Sequence, residues 1–204
     1  KRGYHHGNLR QALIEAVLTL IEVKGPTGFT LSEAAKLAGV TPAAVYRHFE
    51  GREDLIAEVA LQGYEIFADL MQFAYDNGQP SALGAFEAPG RAYLAFARKY
   101  PGHYIAMFES GISVNRTPEL AATSARARSV LELAASDLSQ HIPIEKRPPA
   151  SMFSAHIWAL SHGVVELFAR NSPGAVSPFA PEDLLETGIG VYLRGLGLID
   201  KDID

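Results

Sequence analysis

Residues 30–55, TLSEAAKLAGVTPAAVYRHFEGREDL, constrain the fold most, because they carry start and stop signals for two helices in fixed register. Thr30 precedes an apolar-periodic run with Glu33 three residues on, the spacing of a capping box. Gly39 ends that helix, since a residue without a Cβ takes the left-handed conformation that turns the chain. Thr41 is placed as the next N-cap, and Pro42 as the first helical residue, where its missing N–H costs nothing. A helix over 41–49 would bury Val45 and Phe49 and turn Ala43, Ala44, Arg47 and His48 outward. Two alanines beside an arginine let a helix backbone approach something anionic. The pattern predicts a helix-turn-helix whose second helix enters a DNA groove.

The run GVTPAAVYRHFEGREDL, with the upstream FTLSEAAKLA and the opening YHHGNLRQALIEA, resembles the N-terminal DNA-binding domain of the TetR family of bacterial repressors. Thr30, Ala38-Gly39, Tyr46-Arg47-His48-Phe49 and Arg52 carry the likeness, which is co-linear over roughly the first quarter of the chain. Arg52 stands where lysine is commoner, and either can hold a phosphate. The opening YHHGNLR, together with Trp158-Ala-Leu-Ser-His162-Gly163, further resembles the branch named for a Trp-His-Gly C-terminal domain.

Charge distribution agrees with a DNA-binding end. The 204 residues carry a net −5, yet residues 1–52 hold a net +3 and the remainder a net −8. A small basic module on an acidic body is the asymmetry expected when one end touches phosphates. With no cysteine there is no disulfide framework, thiolate metal site or cysteine nucleophile. No apolar run reaches the length of a membrane span, and a cytoplasmic protein is expected.

Apolar spacing predicts further helices over 8–23, from Arg52 to about Asn77, and over 86–100, 103–109, 119–141, 150–170 and 182–198. Pro89-Gly90 should kink the third of these or delay its start, and 171–181 reads as a loop. No strand-like alternation occurs. The expected fold is all-α, about nine helices, with a helix-turn-helix domain over 1–52 and a helical ligand-binding and dimerisation domain over 53–204.

Thr30, Thr41 and Arg52 open helices, where free N–H groups and the helix dipole favour phosphate. The resemblance implies sugar-phosphate contacts for Tyr46 and His48, although Tyr46 also reads as core beside Val45 and Phe49. Ser32, Pro42, Ala43, Ala44 and Arg47 are placed to meet base edges, and Arg47 alone could pair bidentately with guanine. In the body, Tyr93, Phe96, Tyr104, Met107, Phe108, Trp158 and His162 supply aromatic and thioether surface with a few polar tips, the make-up of a small-molecule pocket. Each also reads as packing, the usual role of such stripes. An uncharged or weakly polar organic molecule is the expected occupant. His162 and Glu166, with His156, are a weak metal set, because three ligands spread over ten residues of one helix cannot face one ion. No cofactor is expected, and no catalytic motif is present.

These readings predict a ligand-responsive repressor that binds a palindromic operator as a homodimer, pairing through the last two helices. The alternatives are a helical enzyme or small-molecule carrier with an incidental helix-turn-helix, and a DNA-binding protein that senses no ligand.

Overall fold

The structure, a computed structural model, describes residues 9–169 and 178–199. The expected opening signature at residues 4–8 and most of the 171–181 loop lie outside these. Among the described residues there are nine α-helices and no strand. They are α1 (Leu9–Lys24), α2 (Leu31–Leu37), α3 (Pro42–Val45), α4 (Arg52–Gly78), α5 (Ala82–Lys99), α6 (Pro101–Phe108), α7 (Pro118–Ser139), α8 (Ala150–Val164) and α9 (Pro181–Gly195). A 3-10 turn at Ile144–Lys146 precedes α8, and a π-helical segment, Val165–Ala169, follows it.

The chain divides into two compact units, one of Lys1–Ile66 with Tyr100–Ser124, the other of Phe67–Lys99 with Ala125–Asp204. This is not the expected division at 52/53. The first unit takes the start of α4 and the whole of α6, whose contacts with the N-terminal helices no local sequence signal announces.

In the first unit, α1 turns Leu13, Ile14, Ala16, Val17 and Ile21 inward. Each fully buried large aliphatic side chain among them contributes about 1.5–3 kcal/mol. The capping box forms: Thr30 Oγ1 accepts from Glu33 N–H at 3.2 Å, and Glu33 Oε2 accepts from Thr30 N–H at 2.8 Å. Lys24 binds the other carboxylate oxygen of Glu33. At the far end Gly39 sits at φ +72°. Gly39 N–H then reaches Lys36 O at 3.1 Å and Val40 N–H reaches Ala35 O at 2.9 Å, the paired bonds of a Schellman close.

Two local expectations need correction. Thr41 has the extended backbone of an N-cap, but its side chain makes no capping bond. The helix expected over 41–49 is α-helical only at Pro42–Val45. Beyond it the chain tightens: Arg47 N–H bonds Ala44 O at 3.4 Å and His48 N–H bonds Val45 O at 2.9 Å, both i to i−3. Val45 and Phe49 are buried as the spacing predicts.

The α6 helix lies against α1 at a glycine. Gly102 N–H donates to Glu22 Oε1 at 3.1 Å, and a Cβ at Gly102 would stand 2.9 Å from Leu18 Cδ2. Tyr104 is fully buried, and the Phe108 ring meets Tyr64 edge-on at 5.9 Å.

In the second unit α5 begins at Ala82, earlier than Pro89-Gly90 suggested, and continues through the buried Pro89. Phe86 stacks on Phe153 at 4.9 Å, and His156 Nδ1 meets the Tyr192 hydroxyl at 2.8 Å. Arg98 holds Glu182 with both terminal nitrogens, and Tyr75 donates to Asp137. Gly188 faces Leu160 of its own chain, where an added Cβ would be 3.1 Å from Leu160 Cδ2.

Candidate DNA-binding face and ligand cavity

The first unit presents Thr41, Pro42, Ala43, Tyr46, Arg47 and His48 to solvent, with Ala44 half-buried. Tyr46 is 61% exposed, which removes the core reading of that ring. Thr41, Ala44, Arg47 and His48 line one open hollow of about 670 Å³ with Leu9, Gly39 and Val40. Sequence spacing does not point to the last three. Leu9 reads there only as part of the apolar stripe of α1, and the other two belong to the turn itself. Arg47 has no ion pair or hydrogen bond from its side chain among the described residues, so its guanidinium is free for an external acceptor. Thr30 and Ser32 are exposed at the start of α2.

Arg52 opens α4 as expected, and its side chain has partners within the unit. Its Nη1 donates to Thr27 O at 3.0 Å, with Phe29 O at 3.5 Å, so it ties the loop before α2 to the start of α4. The next two residues are acidic and meet an arginine far along the chain. Arg116 bonds Glu53 Oε2 at 3.1 Å and Asp54 Oδ1 at 2.5 Å. Asp54 Oδ2 also accepts from Glu50 N–H at 3.1 Å, fixing the turn that follows the exposed segment. More than sixty residues separate Arg116 from its partners, and no spacing rule could pair them.

The second unit holds a small apolar cavity of about 20 Å³ among α4, α5, α7 and α8. Tyr93 and Trp158 line it, with Phe67, Met71, Phe86 and Leu131 also facing it. The rings of Tyr93 and Trp158 stack at 5.2 Å and 17°, and those of Trp158 and His162 at 6.0 Å and 14°. The Tyr93 hydroxyl and His162 Nδ1, 2.6 Å apart, close this layered set with a hydrogen bond. His162 therefore supports the cavity wall without lining it. Phe96 is fully buried against Phe67, at 5.0 Å between rings. Tyr104, Met107 and Phe108 belong to the first unit and pack there. Among the described residues no group of three His, Asp or Glu is arranged to hold a metal ion. No described helix is long and apolar enough to cross a membrane.

Two family profiles match the chain. Residues 13–59 match that of bacterial regulatory proteins of the tetR family, and residues 86–192 match the Tetracyclin repressor-like C-terminal domain. The chain belongs to the TetR family. In sequence it is similar to YobS of Bacillus subtilis (strain 168), an uncharacterized HTH-type transcriptional regulator, at 27% identity over 100 residues. That alignment takes in 49% of this chain and 51% of YobS. Similarity to the HTH-type transcriptional regulator AcrR of Shigella flexneri is 40% over 50 residues, 24% of this chain and 23% of AcrR. The matches thus span about half, or less, of these relatives' lengths. Among solved structures, a protein of unknown function from Rhodococcus sp. RHA1 superposes with a TM-score of 0.79 at 23% identity, over 96% of this chain and 99% of that one. PfmR from Thermus thermophilus, a TetR-family transcriptional regulator, superposes with a TM-score of 0.71 at 16% identity, over 90% and 98%. At these identities the likeness is one of fold.

Proposed function

We propose that this TetR-family protein is a transcriptional repressor that binds a palindromic operator as a homodimer and is released by a small organic effector. The observation that carries the DNA-binding half is Arg47, a guanidinium with no partner among the described residues, in a hollow shared with Thr41, Ala44 and His48. Cations, hydroxyls and close backbone approach are what phosphates and groove edges select. Tyr46 and His48, both exposed, take the sugar-phosphate contacts, Thr30 adds to them at the start of α2, and the exposed Ser32 meets base edges with Pro42 and Ala43. Trp158, His162 and Gly163, the first two stacked as described, are consistent with the Trp-His-Gly branch of the family.

Pairing through α8 and α9 is supported by exposed apolar side chains there: Met152 at 51% and Val191 at 60%. Two heads would then read half-sites about 34–36 Å apart. The apolar cavity supports effector binding in the second unit, and α4, which contributes to both units, is the covalent route by which that binding reaches the head. Binding of effector and operator must weaken each other by the same factor.

Footprinting on the DNA upstream of the protein's own gene tests the reading. Protection of a palindrome by a dimer is expected, with affinity falling steeply as salt rises. A monomer that protects the same palindrome overturns the dimeric part, and salt-insensitive or sequence-blind binding overturns operator recognition.

A further inference from the structure

Next to the apolar cavity, on the surface between α7 and α8, lies a groove of about 200 Å³. Cavity and groove share Leu131, Ser154 and Trp158, so these side chains form the wall between them. Leu131 and Trp158 are half-buried, with solvent on one side, whereas Phe67 and Met71 on the cavity's other sides are fully buried. A cavity of about 20 Å³ has room for little more than one water. Organic ligands need roughly 300–1,000 Å³. An occupant must therefore displace part of the lining, and Leu131 and Trp158, the half-buried side chains of the shared wall, have solvent on one side to move into.

A molecule admitted past Leu131 and Trp158 leaves its trailing end in the groove. There the chemistry changes. The cavity lining carries no charged side chain, while the groove carries Arg128 and, one turn along α7, Glu132. Arg128 is exposed and has no ion pair or hydrogen bond from its side chain among the described residues, Glu132 included. A free guanidinium beside an apolar cavity selects an anionic end, and a planar carboxylate is the group it holds best. The nearby Glu132 carboxylate disfavours a second negative charge.

We propose that the effector is a monocarboxylate amphiphile whose apolar body enters the cavity past Leu131 and Trp158 and whose carboxylate rests on Arg128. This rests on the effector-binding reading above and replaces the expectation of an uncharged molecule, which considered only the aromatic residues. The carboxylate fixes orientation, and burial of the apolar body supplies most of the affinity.

Trp158 is the single tryptophan of the chain, so intrinsic fluorescence reports on the wall directly. Decanoate, 1-decanol and decylamine, each kept below micelle formation, serve as probes against the full chain. Decanoate should change Trp158 emission saturably and bind more tightly than decanol, with decylamine weakest. Arg128→Gln should weaken decanoate about tenfold, the loss of a charge-assisted pair, and leave decanol unchanged. Arg128→Lys should recover part of the difference, and Glu132→Gln should tighten decanoate. Equal affinity for decanoate and decanol, equal losses of both in Arg128→Gln, or no saturable change at all would each overturn the proposal. Operator affinity is measured in parallel. Decanoate that binds through Arg128 yet leaves operator affinity unchanged upholds this site and overturns effector-driven release instead.

Discussion

Arg47 and Arg52 lie five residues apart, but only Arg52 has a side-chain partner among the described residues, and substitution should separate them. Arg47 has no side-chain partner among the described residues, so Arg47→Ala should cost about 1–3 kcal/mol on the cognate operator and relax sequence preference. Arg52 is committed to the Thr27 and Phe29 carbonyls. Arg52→Ala should lower the melting temperature, through the loss of about 1 kcal/mol of hydrogen bonding, and weaken every duplex alike. Competition anisotropy on cognate and scrambled duplexes, with melts of both variants, checks this; selectivity lost equally in both would defeat the distinction. Glu33 offers a pH test. Bonds from Lys24, then from the Thr30 N–H and hydroxyl, hold its carboxyl well below the ordinary value of 4.5, at about 2. A depressed carboxyl contributes stability that is full above its unfolded value and lost as pH falls from about 4.5 toward 2. Glu33→Gln should flatten that part of the stability profile in urea titrations between about pH 5 and pH 2, and a profile as steep as the parent's would contradict it.

Helix ends were legible from sequence because the chemistry that makes them is local. Thr30 and Glu33 are three residues apart, and Gly39 takes φ +72° in the turn that directly follows α2. An added Cβ at Gly39 would meet no atom within 4 Å, so Gly39→Ala should cost about 1–2 kcal/mol from backbone strain alone. Gly102→Ala is the converse, since its φ is ordinary but the Cβ would press on Leu18. Chemical denaturation of both variants tests this, with a shift in midpoint at unchanged slope expected for Gly39→Ala. The site was less legible. Trp158 and His162 share one helix face as their spacing implies, since four residues make about one turn. Tyr104, Met107 and Phe108 carry the same aromatic and thioether character as Tyr93, yet they pack in the other unit, because composition records what a side chain is and not which helix it meets. Arg116 and Arg128 gave no signal for the same reason: the first is defined by acids more than sixty residues away, the second by a groove that two helices make together. The brevity of α3 was hidden too, as i to i−3 bonding at Arg47 and His48 leaves no mark in apolar spacing.

For the whole molecule, self-association through α8 and α9 predicts that Val191→Glu yields a monomer at micromolar concentration, because a charge would replace an exposed apolar side chain at the pairing face. Sedimentation should show the change while helical content persists, and operator affinity should fall with it; a stable Val191→Glu dimer would remove α9 from the interface. The division of the chain bears on a different matter. The DNA-reading unit is written in two separated stretches, Lys1–Ile66 and Tyr100–Ser124, with Glu22 bonded to Gly102 across that gap. A single crossover near residue 52 between this gene and a relative's would therefore transfer a head without α6, leaving Leu18 and Glu22 opposite a foreign helix. Exchange of operator specificity between such proteins calls for two transplanted segments, or for changes confined to the few exposed residues from Thr41 to His48, and the second is the shorter evolutionary path.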